Sequence, residues 1–195
     1  LDNARVTRGS IRYRGESIEN LPPHRIARRG IVLVPERDKV FPNLTVLENL
    51  SAVSMSRAGA AQRRRLEAGI FEYFPRLADV RGKEAGLLSG GERQMLAIGA
   101  ALVCGPELLL VDELSLGLAP VIVGDLARRL VQIRRDLGIT ILLVEQSATV
   151  ALEIADDIYI LENGAVALHG TPATLRDNDA VRRSYLGGTS EGRVN

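Results

Sequence analysis

Leu108-Leu109-Leu110-Val111-Asp112-Glu113 is the stretch that decides the fold. Four consecutive apolar residues run straight into two carboxylates. Ile31 to Val34 and Ile139 to Val144 repeat the pattern, ending at Glu36 and Glu145. Continuous rather than alternating hydrophobicity predicts strands buried on both faces, as in a parallel sheet covered by helices. In open α/β sheets ligands sit beyond the carboxyl ends of the strands. Three acidic strand ends therefore have the pattern of a site.

The segments between the runs read as helices. Pro120 opens one with Leu126, Leu130, Ile133 and Leu137 on one face, and Gly138 closes it. Thr45 to Ser56 and Gln62 to Phe74 read as two more, with Arg63, Arg64 and Arg65 on a solvated face. Phe71, Tyr73 and Phe74 are expected in the core of that lobe. Asp157 to Leu161, Asn163-Gly164 and Ala165 to His169 carry the signal of a hairpin with a tight turn. The Gly-Gly-Thr-Ser-Glu-Gly stretch after Leu186 is expected to be a loose tail.

Composition narrows the class. At 195 residues with 46% hydrophobic and 25% charged, the chain is long and apolar enough for a globular core, which excludes a disordered or collagen-like chain. Cys104 is the single cysteine, so no intrachain disulfide can form, and a reducing compartment is the simpler reading. Lys and Arg number 25 against 24 Asp and Glu, which argues against binding nucleic acid through bulk charge. The longest apolar runs, such as Leu96 to Cys104, are too short to span a bilayer. Leu1 to Arg14 has no signal-peptide pattern, so a membrane role must come through a partner. His24 and His169 are far apart and no metal cluster is expected of them. The chain opens on Leu1 rather than methionine and reads from the middle of something, which sets the expectation of a truncated or processed product.

The sharpest motif is Leu88-Ser89-Gly90-Gly91-Glu92-Arg93-Gln94. Ser89 at N-cap and Glu92 at N3 form a capping box. Two glycines in a first helical turn cost roughly 1 kcal/mol each relative to alanine, so capping alone does not account for them. Glycines there let an anion approach the free N–H groups, where the helix dipole favours negative charge. Met95, Leu96, Gly99, Leu102 and Val103 follow at helical spacing. A strand ending in Asp112-Glu113 suits Mg²⁺, which takes one or two carboxylates and otherwise keeps water and phosphate ligands. The second carboxylate can orient or deprotonate an attacking water.

In order and spacing these motifs resemble the nucleotide-binding subunit of an ABC transporter. The family's signature motif matches Leu88 to Glu92, its Walker B matches Leu108 to Glu113, its D-loop falls on Leu114 to Ala119, and its Q-loop falls on Val34-Pro35-Glu36. Val-Pro-Glu at the Q-loop, Ser115-Leu116-Gly117-Leu118-Ala119-Pro120 and Val144-Glu145-Gln146 are most similar to the ATPases of branched-chain amino-acid uptake or their urea and amide relatives. Leu114 stands where the family usually has proline, and its expected effect is on the turn.

The resemblance implies an α/β fold of the P-loop NTPase type: a mostly parallel sheet flanked by helices, with an inserted helical subdomain. The core would be 1–40 and 88–186, the helical signalling subdomain 41–87, and the tail 187–195. It implies ATP and Mg²⁺ as ligands, with Asp112 holding the metal through water and Glu36 beside it. Glu113 would polarise the attacking water, and Glu36 and Gln146 would sense the γ-phosphate. Gln146 takes the switch-histidine position and cannot carry a proton as histidine does. Ser89, Gly90, Gly91 and Glu92 would grip the nucleotide from the opposing subunit. The implied partners are a second ABC ATPase subunit, transmembrane permease subunits and, indirectly, a solute-binding protein, with no nucleic acid, at the cytoplasmic face of the membrane. Phe41 and Leu44 follow the Q-loop, where the family receives the coupling helix of its membrane partner.

No Gly-x-x-x-x-Gly-Lys-Ser/Thr occurs in the 195 residues. Gly82-Lys83 precedes Glu84 and follows no strand, so it is no P-loop. In the family the P-loop lies upstream of a Gly9-Ser10-Ile11 strand, so the first strands and the P-loop are expected to be missing. The chain is then expected to hydrolyse ATP negligibly alone. The alternatives are a soluble, non-transport ABC ATPase, or a catalytically dead fragment that only docks a partner.

Overall fold

The structure, a computed structural model, describes residues 5–36, 40–52, 60–179 and 181. The sequence expectations for the Arg63, Arg64 and Arg65 side chains, for the helix beyond Ala52 and for the tail after Leu186 fall outside the described residues.

The element order is β1 (Arg12–Tyr13), β2 (Glu16–Ser17), α1 (Pro23–Ala27), β3 (Ile31–Val34), α2 (Val46–Ala52), α3 (Ala60–Tyr73), α4 (Pro75–Asp79), α5 (Gly90–Val103), β4 (Leu108–Asp112), α6 (Pro120–Leu137), β5 (Thr140–Val144), α7 (Ala148–Ile154), β6 (Ile158–Glu162), β7 (Ala165–Gly170) and α8 (Pro172–Arg176). A short 3-10 turn, Ala85–Leu87, leads into α5. The three apolar runs are the three strands of one parallel sheet in the order β3-β4-β5. Register puts Val34 beside Val111 and Asp112 beside Val144. All three acidic strand ends therefore share one edge of the sheet.

The first strand is Arg12–Tyr13, paired antiparallel with Glu16–Ser17, rather than Gly9-Ser10-Ile11. Gly9 has φ +84, a bend that keeps this stretch out of an extended strand. α6 ends as its sequence predicts, with Gly138 in the left-handed conformation at φ +63. The hairpin β6–β7 turns at Asn163 and Gly164, both at positive φ.

The core lies between the sheet and the helices. Leu109 and Val111 of β4 pack in one cluster with Leu96, Ile98 and Leu102 of α5 and Leu126, Leu130 and Ile133 of α6. α2, α3 and α4 pack on the outer side of α5. Gly99 makes that approach possible, since a Cβ there would stand 2.8 Å from the Ile70 side chain. Phe74 is fully buried, and Phe71 and Tyr73 pack against the same cluster.

The opposite face of the sheet departs from expectation. Leu33 and Leu142 lie in register with Leu110, and both are more than half exposed, as is Val144. The strands have the composition of a doubly covered sheet, but among the described residues helices cover one face.

Asn49 is a buried polar residue that sequence reasoning passed over. Its side chain accepts a hydrogen bond from Phe41 N and donates to the carbonyls of Phe41, Leu44 and Thr45. It thereby ties the segment after β3 onto α2. Asn49→Ala is expected to lower stability by about 2 kcal/mol, because buried backbone groups lose their partners. Urea denaturation measures this, and a change below about 0.5 kcal/mol would contradict it.

Candidate functional site

The site residues fall into two structural units. The first is the tip of α5. Ser89 is its N-cap, and the capping box is complete. Glu92 Oε2 accepts from Ser89 N and from Ser89 Oγ, both at 2.8 Å, and Ser89 Oγ accepts from Glu92 N at 3.3 Å. Ser89 and Gly90 are exposed, while Gly91 and Glu92 are half-buried. The Ser89 backbone N–H, then its hydroxyl, hold the Glu92 carboxyl below its usual range.

Because the folded state lowers this pKa, the cap's contribution is present above the unfolded value and lost as pH falls through the folded one. Ser89→Ala is expected to cost about 1 kcal/mol at pH 7. The gap between wild type and variant should shrink below about pH 4. Melting temperatures of both proteins across that range would show it, and a gap independent of pH would contradict it.

Gly91 has a packing reason that the sequence did not reveal. A Cβ on Gly91 would lie 2.8 Å from Ile122 Cγ2, and one on Gly90 would lie 3.1 Å from Leu118 Cδ2. The turn after β4 leans directly on the α5 tip. Close approach of Ile122 accounts for glycine at 91, whereas at 90 the neighbour is the movable end of the Leu118 side chain and packing alone does not require glycine.

The second unit is the ends of β4 and β5. Asp112 ends β4, and Glu113 follows at φ +56. A non-glycine residue in that region is strained, and such strain gathers at functional sites. Glu113 N donates to Val144 O at 3.0 Å, which holds the kink against β5. Gln146 Nε2 donates to Glu113 Oε1 at 2.9 Å. Asp112 and Glu113 are half-buried and Gln146 is exposed, so the pair opens to solvent. Glu36 stands half-buried just beyond β3 on the same edge, one strand over from Asp112.

Glu145 corrects the sequence pattern of three acidic site ends. Its Oε1 accepts from Ser115 N at 2.7 Å, and its Oε2 from Ser115 Oγ at 2.8 Å and Ser147 N at 2.9 Å. Both oxygens serve the protein's own backbone and hydroxyls. No local signal distinguishes it from Glu36 or Glu113, since two of its three bonds come from Ser115, thirty residues upstream. Leu114 also differs from expectation. Its side chain is fully buried in the main core cluster, and the unusual backbone of the turn belongs to Glu113.

The remaining singled-out residues have local explanations. Cys104 is half-buried, with Sγ 3.6 Å from Ala100 O. His169 stacks on Tyr159 at 4.0 Å and bonds Asp157 at 2.9 Å on the hairpin, and His24 is exposed on α1. Among the described residues no group of three His, Cys, Asp or Glu could hold a metal ion by itself. None of the described helices is long and apolar enough to cross a membrane.

Residues 1–115 match the family model described as ABC transporter. The chain belongs to the ABC transporter family. It is 47% identical over 180 residues to the high-affinity branched-chain amino acid transport ATP-binding protein BraG of Pseudomonas aeruginosa, covering 92% of this chain and 76% of BraG. It is 39% identical to the probable branched-chain amino acid transport ATP-binding protein LivF of Archaeoglobus fulgidus, covering 94% of this chain and 78% of LivF. A second Pseudomonas aeruginosa relative, BraF, is 32% identical over 93% of this chain and 77% of its own length. The fold is that of the ADP conformation of MJ1267, an ATP-binding cassette of an ABC transporter. The TM-score is 0.78 at 23% identity, over 94% of this chain and 79% of MJ1267. A dimeric cassette, MJ0796 bound to ADP and Pi, matches at TM-score 0.71 and 21% identity, over 87% of this chain and 75% of its own. The cassette described here is an ABC ATP-binding subunit homologous to the ATPases of branched-chain amino acid transport.

Proposed function

We propose that this subunit powers uptake of branched-chain amino acids or a related small solute, and that it works as one of two cassettes in a sandwich dimer. The observation carrying the reading is the Gln146–Glu113 hydrogen bond at 2.9 Å, at the open ends of two adjacent parallel strands. It brings together two residues 33 apart in sequence, one that the resemblance matches to the attacking water and one that it matches to the γ-phosphate. The bond takes one oxygen of Glu113 and leaves the other able to accept from a water. Glu113 then polarises that water, and Gln146 fixes the carboxylate without exchanging a proton.

Asp112, with Glu36 one strand away, offers the oxygen donors that Mg²⁺ prefers. An ion that keeps waters and phosphate oxygens needs no all-protein cage. When bound, the metal neutralises charge on the triphosphate. Ser89, Gly90 and Gly91 form an exposed helix tip that serves the nucleotide of the opposing subunit, with the Gly90 and Gly91 N–H groups facing the ligand and the Ser89 N–H held by Glu92. Phe41, Leu47 and Leu87 are exposed apolar residues of the 41–87 region, and Phe41 is 60% exposed. A membrane permease subunit at the cytoplasmic face is the partner this patch suits.

Residues 1–195 hold no P-loop sequence, so a polypeptide of these residues lacks the main anchor for phosphates. It is expected to bind ATP more weakly than about 1 mM alone and still to complete a partner's site. BraF is the partner of choice for a test, because the organism of BraG also has BraF. Adding the chain to an ABC cassette that carries a P-loop should raise ATP turnover in proportion to complex formed. No gain at saturating chain, or single-site binding of ATP to the chain alone near about 1 μM, would refute this reading. The second outcome would point to a nucleotide site that does not need a P-loop.

A further inference from the structure

Glu145 is not among the residues that the family resemblance assigns to nucleotide, yet its carboxylate joins three parts of the site. It sits between Val144, whose carbonyl receives Glu113 N, and Gln146, which bonds the Glu113 side chain. Its two oxygens take the backbone N–H and the hydroxyl of Ser115 at 2.7 and 2.8 Å. Ser115 opens a turn that Leu118 N closes onto Ser115 O at 3.1 Å. Leu118 from that turn and Ile122 from the start of α6 lean on Gly90 and Gly91, with no room for a Cβ at Gly91. The third bond, from Ser147 N, fixes the carboxylate to the start of α7. The chain of contacts runs from the Glu113–Gln146 pair through one half-buried carboxylate to the exposed tip of α5.

We propose that Glu145 is a positioning residue that sets the Ser89–Gly91 tip in fixed relation to Glu113 and Gln146, acting through the Ser115–Ile122 segment. Bonds to an ionised carboxylate are roughly twice as strong as neutral ones, and close-packed contacts transmit displacement. Releasing Ser115 frees the turn, and the tip loses the support of Leu118 and Ile122. The inference rests on the function proposed above: the tip serves one nucleotide and the Glu113–Gln146 pair another. One carboxylate thus links the two nucleotide sites to which a single subunit contributes.

The test uses the 195-residue chain, wild type and Glu145→Gln, in two measurements. Amide exchange at Ser115 and Ser147 should quicken by about tenfold or more. Resonances of the Leu118 and Ile122 methyls and of the Gly90 and Gly91 amides should shift, while those of the β6–β7 hairpin stay in place. With a P-loop-bearing partner, kcat should fall by about tenfold while KM for ATP changes by less than about twofold. Perturbation confined to Ser115 and Ser147, or an unchanged kcat, would overturn the proposal. Should Glu145→Gln fail to fold, Ser115→Ala removes only the hydroxyl bond and must shift the same resonances less. If the wild-type chain gives the partner no gain, the functional reading fails, and the resonance measurement alone decides whether Glu145 governs the tip.

Discussion

Gly90→Asp should lower the partner's gain in ATP turnover by about a hundredfold while leaving the fold intact or slightly more stable, and the opposite signs make the test sharp. Gly90 is exposed at the first turn of α5, and a Cβ there would meet only Leu118 Cδ2 at 3.1 Å. That atom is the far end of a flexible side chain and can step aside. A carboxylate at a helix N-terminus interacts favourably with the dipole, worth up to about 0.5 kcal/mol at an exposed site. If the tip served only to start a helix, aspartate would be harmless. If it faces a triphosphate, the new charge lies against phosphate oxygens, and the N–H groups that should meet them are screened. Turnover of the mixed dimer and the melting temperature of the variant, measured together, separate the two. Unchanged turnover with an unchanged melting temperature would remove the tip from the mechanism.

Leu114→Ala should cost about 3.5 kcal/mol of stability, the middle of the range for truncating a fully buried leucine. Leu114 has no exposed surface and belongs to the cluster that joins β4, α5 and α6. Were its role confined to turn geometry, where the family usually has proline, alanine would be nearly neutral. Urea denaturation with an unchanged m-value would establish the loss as one of packing. A loss below about 1 kcal/mol would return Leu114 to the turn.

Much of the architecture was legible because its signals are local. The apolar runs Ile31–Val34, Leu108–Val111 and Ile141–Val144 lie in the three strands of the parallel sheet. The Ser89–Glu92 box, the Pro120 start and Gly138 stop of α6, and the Asn163-Gly164 turn each follow from the chemistry of a few adjacent residues. Contacts between distant residues were not legible. Asn49 reads as one polar residue in a helix until its four bonds to the preceding loop are seen. Glu145 has the same sequence context as the other acidic strand ends, and only the fold brings Ser115 to it. The glycines at 90 and 91 were read as room for an anion, and only the fold shows that Ile122 also leaves no space for a Cβ at Gly91. Continuous hydrophobicity predicted two covered sheet faces, yet Leu33, Leu142 and Val144 remain exposed among the described residues.

The central claim is that the exposed Ser89–Gly91 tip reaches the nucleotide of another subunit. An ATP analogue with a photoreactive group on its γ-phosphate, bound to a P-loop-bearing partner and irradiated in the presence of this chain, tests that claim most directly. The account predicts label on the segment holding Ser89 to Glu92, and only when the partner is present. Label elsewhere on the chain, or equal labelling of the chain alone, would contradict it.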